Sequence, residues 1–183
     1  FVLMRDIGLA AAARCRRSHE LYMLSTHLTS AGVGSLMLGD HAAAETALIE
    51  ALRASLVIDD RPGLVMRVQT LANAAALAGH VQHAARLLGA SEMLRRDSGA
   101  LLSPFVRPFI ERAEELARSE LGDEGFKAAF DEGARLDRQA AVELALGTKA
   151  RRDGGQAVDT AVDTLGKRER QVAELIAEGL SSK

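Results

Sequence analysis

Two stretches decide the fold: Gly39-Asp40-His41-Ala42-Ala43-Ala44-Glu45-Thr46-Ala47-Leu48-Ile49-Glu50-Ala51, and Gly79-His80-Val81-Gln82-His83-Ala84-Ala85-Arg86-Leu87-Leu88-Gly89-Ala90-Ser91. Gly39, Ala44, Leu48 and Ala51 recur as Gly79, Ala84, Leu88 and Ser91, with the same offset every time. Each position has a physical task. A glycine after an apolar helix lets the chain double back. A small residue early in the next helix admits the preceding one closely. A large apolar residue one turn later fills the gap, and a second small residue receives the following pair.

The spacing resembles the tetratricopeptide pattern, whose period of about 34 residues is shorter; the extra residues would lengthen the helices or the loop at Asp59-Asp60-Arg61-Pro62-Gly63. The expected fold is therefore all-α: antiparallel helix pairs stacked as a tetratricopeptide-like right-handed α-solenoid. An ordinary Ala-rich bundle with two coincidental hairpins is the plainer alternative.

Helical periodicity runs outward from the repeat. Only 3 Pro occur, and no segment alternates β-branched and aromatic residues at period two. Over 41–58, Ala44, Ala47, Leu48, Ala51, Leu52 and Ser55 share a face, with Glu45, Glu50 and Arg53 opposite. Over 81–96 the stripe is Ala84, Leu87, Leu88 and Ser91. Over 104–121 it is Phe109, Ala113, Leu116, Ala117 and Glu120, and Phe126 and Phe130 pair at i, i+4 over 123–135. Pro108 requires that the helix carrying it either kink there or begin there. Pro62 sits in the first turn of the helix that Asp59-Asp60 introduces. Asp97-Ser98-Gly99 closes another.

Composition narrows the function. Hydrophobic residues at 48% and charged residues at 26% over 183 residues suit one sizeable folded core. A net charge of −2 does not describe a dedicated polyanion binder, and aromatics at 3% with no Trp do not supply base-stacking platforms. Cys15 is the lone thiol; it is read as a small buried apolar group in a protein of the reducing cytoplasm. No run of ~18 apolar residues is long enough to span a membrane. The opening Phe1-Val2-Leu3-Met4, with basic residues after rather than before it, lacks the polarity of a signal peptide and reads as a piece of a longer protein.

Catalytic and cofactor signals are weak. No phosphate-binding Gly-x-x-x-x-Gly-Lys-Ser/Thr loop occurs. Gly32-Val33-Gly34 resembles part of a dinucleotide fingerprint but lies in a helical pattern with no strand before it. His80 and His83 have metal-ligand spacing without further ligands to complete a site. Glu114-Glu115, Asp123-Glu124 and Asp131-Glu132 fall on polar faces. The expectation is a chain that is not an enzyme and needs no cofactor.

The last residues read Leu165-Gly166-Lys167-Arg168-Glu169-Arg170-Gln171-Val172-Ala173-Glu174-Leu175-Ile176-Ala177-Glu178-Gly179-Leu180-Ser181-Ser182-Lys183. Val172, Ala173, Leu175 and Ile176 make one apolar face, Gly179 stops the helix, and Ser181 is placed to cap a second. Glu169 stands three residues after Gly166, as in a capping box without the N-cap side chain. The segment resembles the start of a LuxR-type helix-turn-helix domain, which opens Leu-Thr-x-Arg-Glu-x-x-Val and continues Ala-x-Gly-Leu-Ser-Asn-Lys-Glu. Leu165, Arg168, Glu169, Val172, Ala177, Gly179, Leu180, Ser181 and Lys183 match; Gly166 stands for Thr and Ser182 for Asn. The stretches 87–95, 121–133 and 140–146 resemble the helical-repeat region of the large ATPase-containing, MalT-like class of these bacterial transcriptional regulators.

The resemblance implies three parts: a repeat domain over 1–146, a linker over 147–164 and an incomplete helix-turn-helix over 165–183. It implies a cytoplasmic DNA-binding regulator whose repeat arm senses a signal or a protein or peptide partner, with a homo-oligomer compatible. The chain stops at the start of the second helix of the DNA-binding domain, before the recognition helix. Lys167, Arg168, Arg170, Ser181, Ser182 and Lys183 are then the candidate DNA-phosphate contacts, which position a protein without specifying sequence. The tail helix is expected to bury its apolar face on the repeats or on a neighbouring chain. A helical-repeat interaction scaffold with no DNA role is the competing reading.

Overall fold

A computed structural model describes residues 1–102, 104 and 106–147. They form seven α-helices and, among the described residues, no strand: α1 Val2–Ser18, α2 Leu21–Met37, α3 His41–Val57, α4 Arg61–Leu77, α5 Val81–Ser98, α6 Arg107–Ala134 and α7 Arg138–Ala145. The all-α expectation holds. All seven belong to one unit of the chain, Phe1–Thr148. The linker and the helix-turn-helix start expected over 147–183 lie outside the described residues except for Gly147, and so does the expected packing of the tail helix.

The reversals keep a strict step. His19, Gly39, Asp59, Gly79 and Gly99 all have positive φ, from +50° to +82°, and are evenly spaced along the chain. The Gly39 N–H donates to Leu36 O at 3.0 Å and the Asp40 N–H to Ser35 O at 3.0 Å. This paired closure satisfies carbonyls left open at a helix end. It recurs at Gly79 and His80, whose N–H groups donate to Ala76 O and Ala75 O. The residue that completes one closure is also the cap of the next helix. Asp40 accepts from the Ala43 N–H and Asp60 from the Gly63 N–H, each at 3.0 Å. His80 occupies the same position without a side-chain cap bond. Helices α1 to α4 each have 17 residues and α5 has 18. The residues beyond a period of about 34 therefore lie in the helices, not in the 59–63 loop.

The inward stripes over 41–58 and 81–96 are buried as read from the sequence. The 104–121 stripe needs correction. Its helix begins at Arg107 with Pro108 in the first turn, where a missing N–H breaks no bond. Glu120 is exposed, and Ile110 with Leu121 packs on the core beside Ala113, Leu116 and Ala117. Gly122, at φ 70° and ψ 171°, kinks α6. Arg118 bridges that kink, 2.7 Å from Asp123 Oδ1 and 4.1 Å above the Phe126 ring. The Phe126 and Phe130 rings pair with centroids 5.8 Å apart.

Each helix from α1 to α5 packs on the one that follows it; α2 also reaches α4, α4 reaches α6, and α5 reaches α7. Where α5 meets α6, two glycines remove side chains from the contact. A Cβ on Gly89 would stand 1.9 Å from Phe130 O, and one on Gly133 would stand 1.9 Å from Arg86 O. The Gly32-Val33-Gly34 triplet serves packing too: Gly32 lies against Leu48 and Gly34 against the Arg5 backbone. The larger core runs from α2 to α7, and a smaller one, holding the buried Cys15, joins α1, α2 and α3.

Candidate functional site

Helix α4 contacts both α2 and α6, and a recess lies along these three helices. Its apolar walls are Leu36 and Met37 at the end of α2, Leu77 on α4, and Pro108 and Phe109 at the start of α6. Its volume is about 520 Å³. His41 stands at one end. Glu111, Arg112 and Glu115 edge it from α6, and none of these three makes an ion pair among the described residues.

Asn73 is the unusual wall residue. It sits on α4 amid Leu71, Ala72, Ala74 and Ala76, is only 2% exposed, and its buried Oδ1 has no hydrogen-bond partner. The buried Nδ1 of His41 is likewise unpartnered. Buried polar groups are nearly always paired, because an unsatisfied one loses its hydration without compensation. Both residues are among those that line the recess, while the two unpartnered atoms themselves are buried.

A second cavity, of about 210 Å³, lies between α3, α4, α5 and the end of α7 and is lined in part by His41, Glu45, His80 and His83. The His80 and His83 pair thus does face a cavity. Even so, among the described residues no group of three or more His, Cys, Asp or Glu is arranged to hold a metal ion. Burial pushes the His83 imidazole below its ordinary 6.5; neighbouring Arg86 and His80 add to the shift and Glu45 opposes it.

One buried charge is structural. Arg67 on α4 is 1% exposed. Its Nη2 donates to Ser25 Oγ of α2 at 2.8 Å, and its Nη1 lies 3.5 Å from Asp60 Oδ2, while Nε is unpartnered. Burial lowers the guanidinium pKa against the opposing influence of Asp60 and Tyr22. This side chain ties α2 to the turn that starts α4.

Lys167, Arg168, Arg170, Ser181, Ser182 and Lys183, the phosphate contacts expected from sequence, lie outside the described residues. Sequence reading misses Asn73 and His41 as site residues. The only signal is an amide interrupting the Ala-rich run 71–78, and that is how an ordinary solvated position also looks. Among the described residues no helix is long and apolar enough to cross a membrane. No protein-family model, curated protein or solved structure matches the chain.

Proposed function

We propose that this chain is part of a bacterial DNA-binding transcriptional regulator of the LuxR type. Residues 1–146 form its signal-receiving arm, 147–164 a linker and 165–183 the opening of its DNA-binding domain. In this reading the helix pairs stack as a tetratricopeptide-like right-handed α-solenoid, and the α2/α4/α6 recess belongs to the groove that takes a protein or peptide partner. The protein acts in the cytoplasm and the arm carries no catalytic machinery. The observation that carries the proposal is the run Leu165 to Lys183, with its Arg168-Glu169 pair, Val172 and the Gly179-Leu180-Ser181 stop and cap. The regular step of helices ahead of it supports the arm.

Lys167, Arg168, Arg170 and Lys183, with Ser181 and Ser182 at a helix start, serve as phosphate contacts, while sequence is read by a helix encoded beyond Lys183. The gene tests this directly. Codons after Lys183 that continue into a recognition helix, and sequence-selective DNA binding by the encoded protein, support the reading; a stop or an unrelated domain refutes it. The second reading, a repeat scaffold without a DNA role, is favoured by the recess itself, since an apolar groove edged by Glu111, Arg112 and Glu115 needs only a partner.

A further inference from the structure

Resting on the reading of the helices as stacked pairs, we propose that the face of α1 carrying Leu3 and Ile7 docks a further antiparallel helix pair of the same polypeptide, encoded before Phe1 and set on the same step as α1 to α5. Register carries the argument. At the offset that relates Gly39 to Gly79, Ile7 corresponds to Ala47 on α3 and to Leu87 on α5. Ala47 is 6% exposed and Leu87 1%, whereas Ile7 is 57% exposed. Leu3 corresponds to Ala43 and His83, both half-buried, and is itself exposed. Ala10 is exposed where Ala90 is fully buried.

On α3 and α5 the preceding pair covers these positions. Ala47 packs in the smaller core with Ala12 and Cys15 of α1 and Leu24 and Leu28 of α2. His83 and Leu87 share a cavity with His41 and Glu45 of α3 and Leu71 and Ala74 of α4. The main neighbour of α1 among the described residues is α2, the helix that follows it. A helix that ended the stack would turn a polar face to water; α1 instead exposes Leu3 and Ile7 one turn apart. Arg14 departs from the pattern, standing exposed where Ala54 and Leu94 are buried; its long stem can lie on an apolar neighbour while the guanidinium reaches the rim. A second copy fits the face less well. Among the described residues α6 and α7 expose no large apolar side chain, so the far end of another molecule has nothing to match it.

The test compares the product of the entire gene with residues 1–183, each carrying Ile7→Cys, by maleimide labelling read at position 7 by peptide mass spectrometry. Val57→Cys, at an exposed position of α3, is the reference. In residues 1–183 the two positions should label at similar rates. In the entire product position 7 should label about tenfold more slowly, because the thiol then reacts only when the contact opens, while position 57 is unchanged. A photo-crosslinker in place of Ile7 should join it to the two helices before Phe1 within one molecule. Equal labelling of position 7 in both proteins, crosslinks that land elsewhere or between molecules, or a gene that encodes no helix pair before Phe1 would each overturn the proposal. Protection of position 7 in residues 1–183 that grows with concentration would also overturn it, in favour of a second copy. None of these readouts involves DNA, so failure here is distinct from failure of the regulator reading.

Discussion

Gly133→Ala should destabilise the protein although it replaces a poor helix former with the best one. On propensity alone the change would add ~1 kcal/mol, because Gly in a helix interior is that much worse than Ala. The new Cβ, however, would lie 1.9 Å from Arg86 O, 2.8 Å from Arg86 C and 2.9 Å from Ala90 N. These are backbone atoms of α5, so no rotamer change relieves the clash. Ordinary van der Waals contact begins only at 3.4 Å, so the two helices must move apart to reach it. That opens the packing of Phe126 and Ala129 in the core they share with α5. Overpacking of this kind costs ~1–3 kcal/mol and more when backbone must move, so the net loss is about 2 kcal/mol. For a chain of this size that lowers the melting temperature by about 4–8 °C. Thermal and urea unfolding measure it. Ala128→Gly, at an exposed position of the same helix, calibrates propensity by itself and should cost ~1 kcal/mol. A Gly133→Ala protein as stable as the parent, or more so, would refute the close α5–α6 contact.

Asp60→Asn and Arg67→Met separate the roles of the buried charge. Asn caps a helix as well as Asp does, so the first change removes only the charge opposite Arg67 and should cost about 3 kcal/mol in urea unfolding. Arg67→Met loses the bond to Ser25 but leaves only Asp60, which is partly exposed and still accepts from the Gly63 N–H, so it should cost less, about 1 kcal/mol; a larger loss from Arg67→Met than from Asp60→Asn would contradict this. His83 sets a pH dependence. Its folded pKa is depressed below 6.5, so its contribution is full above 6.5 and is lost as pH falls through the folded value, where the unfolded chain binds the extra proton. His83→Gln should flatten the decline in stability below about pH 6.5; an unchanged profile would show that His83 is not desolvated in the fold.

The helical skeleton is readable because its punctuation is local. Asp60 and Pro62 announce α4, Gly39, Gly79 and Gly99 close α2, α4 and α5, and the Ala44-Leu48-Ala51 stripe needs only helix geometry to face inward. Other reversals are silent. His19 and Asp59 adopt the same left-handed conformation without being glycine, so the even step of the turns surfaces only with the backbone angles. Helix α4 also defeats pattern reading. It buries Arg67, Gln69, Thr70 and Asn73 together with its apolar residues, because it packs on α2, α3, α5 and α6 at once and has no polar face. One unbroken stripe along α6 would put Glu120 inward, whereas Ile110 and Leu121 take the inward positions. Asn73 stands out only when hydrogen-bond partners are counted in three dimensions, since its neighbours in sequence say nothing about which donors reach it.

The regulator reading meets its most direct trial in the DNA binding of two proteins side by side: residues 1–183 and the product of the entire gene. The entire product should bind DNA sequence-selectively, with an affinity that falls as salt rises. Replacing Lys167, Arg168 and Arg170 with Ala should weaken its binding to all sequences alike and flatten the salt slope by about one per lost phosphate contact. Residues 1–183 should show no selectivity at any salt. Sequence-selective binding by residues 1–183, or none by the entire product, would contradict it.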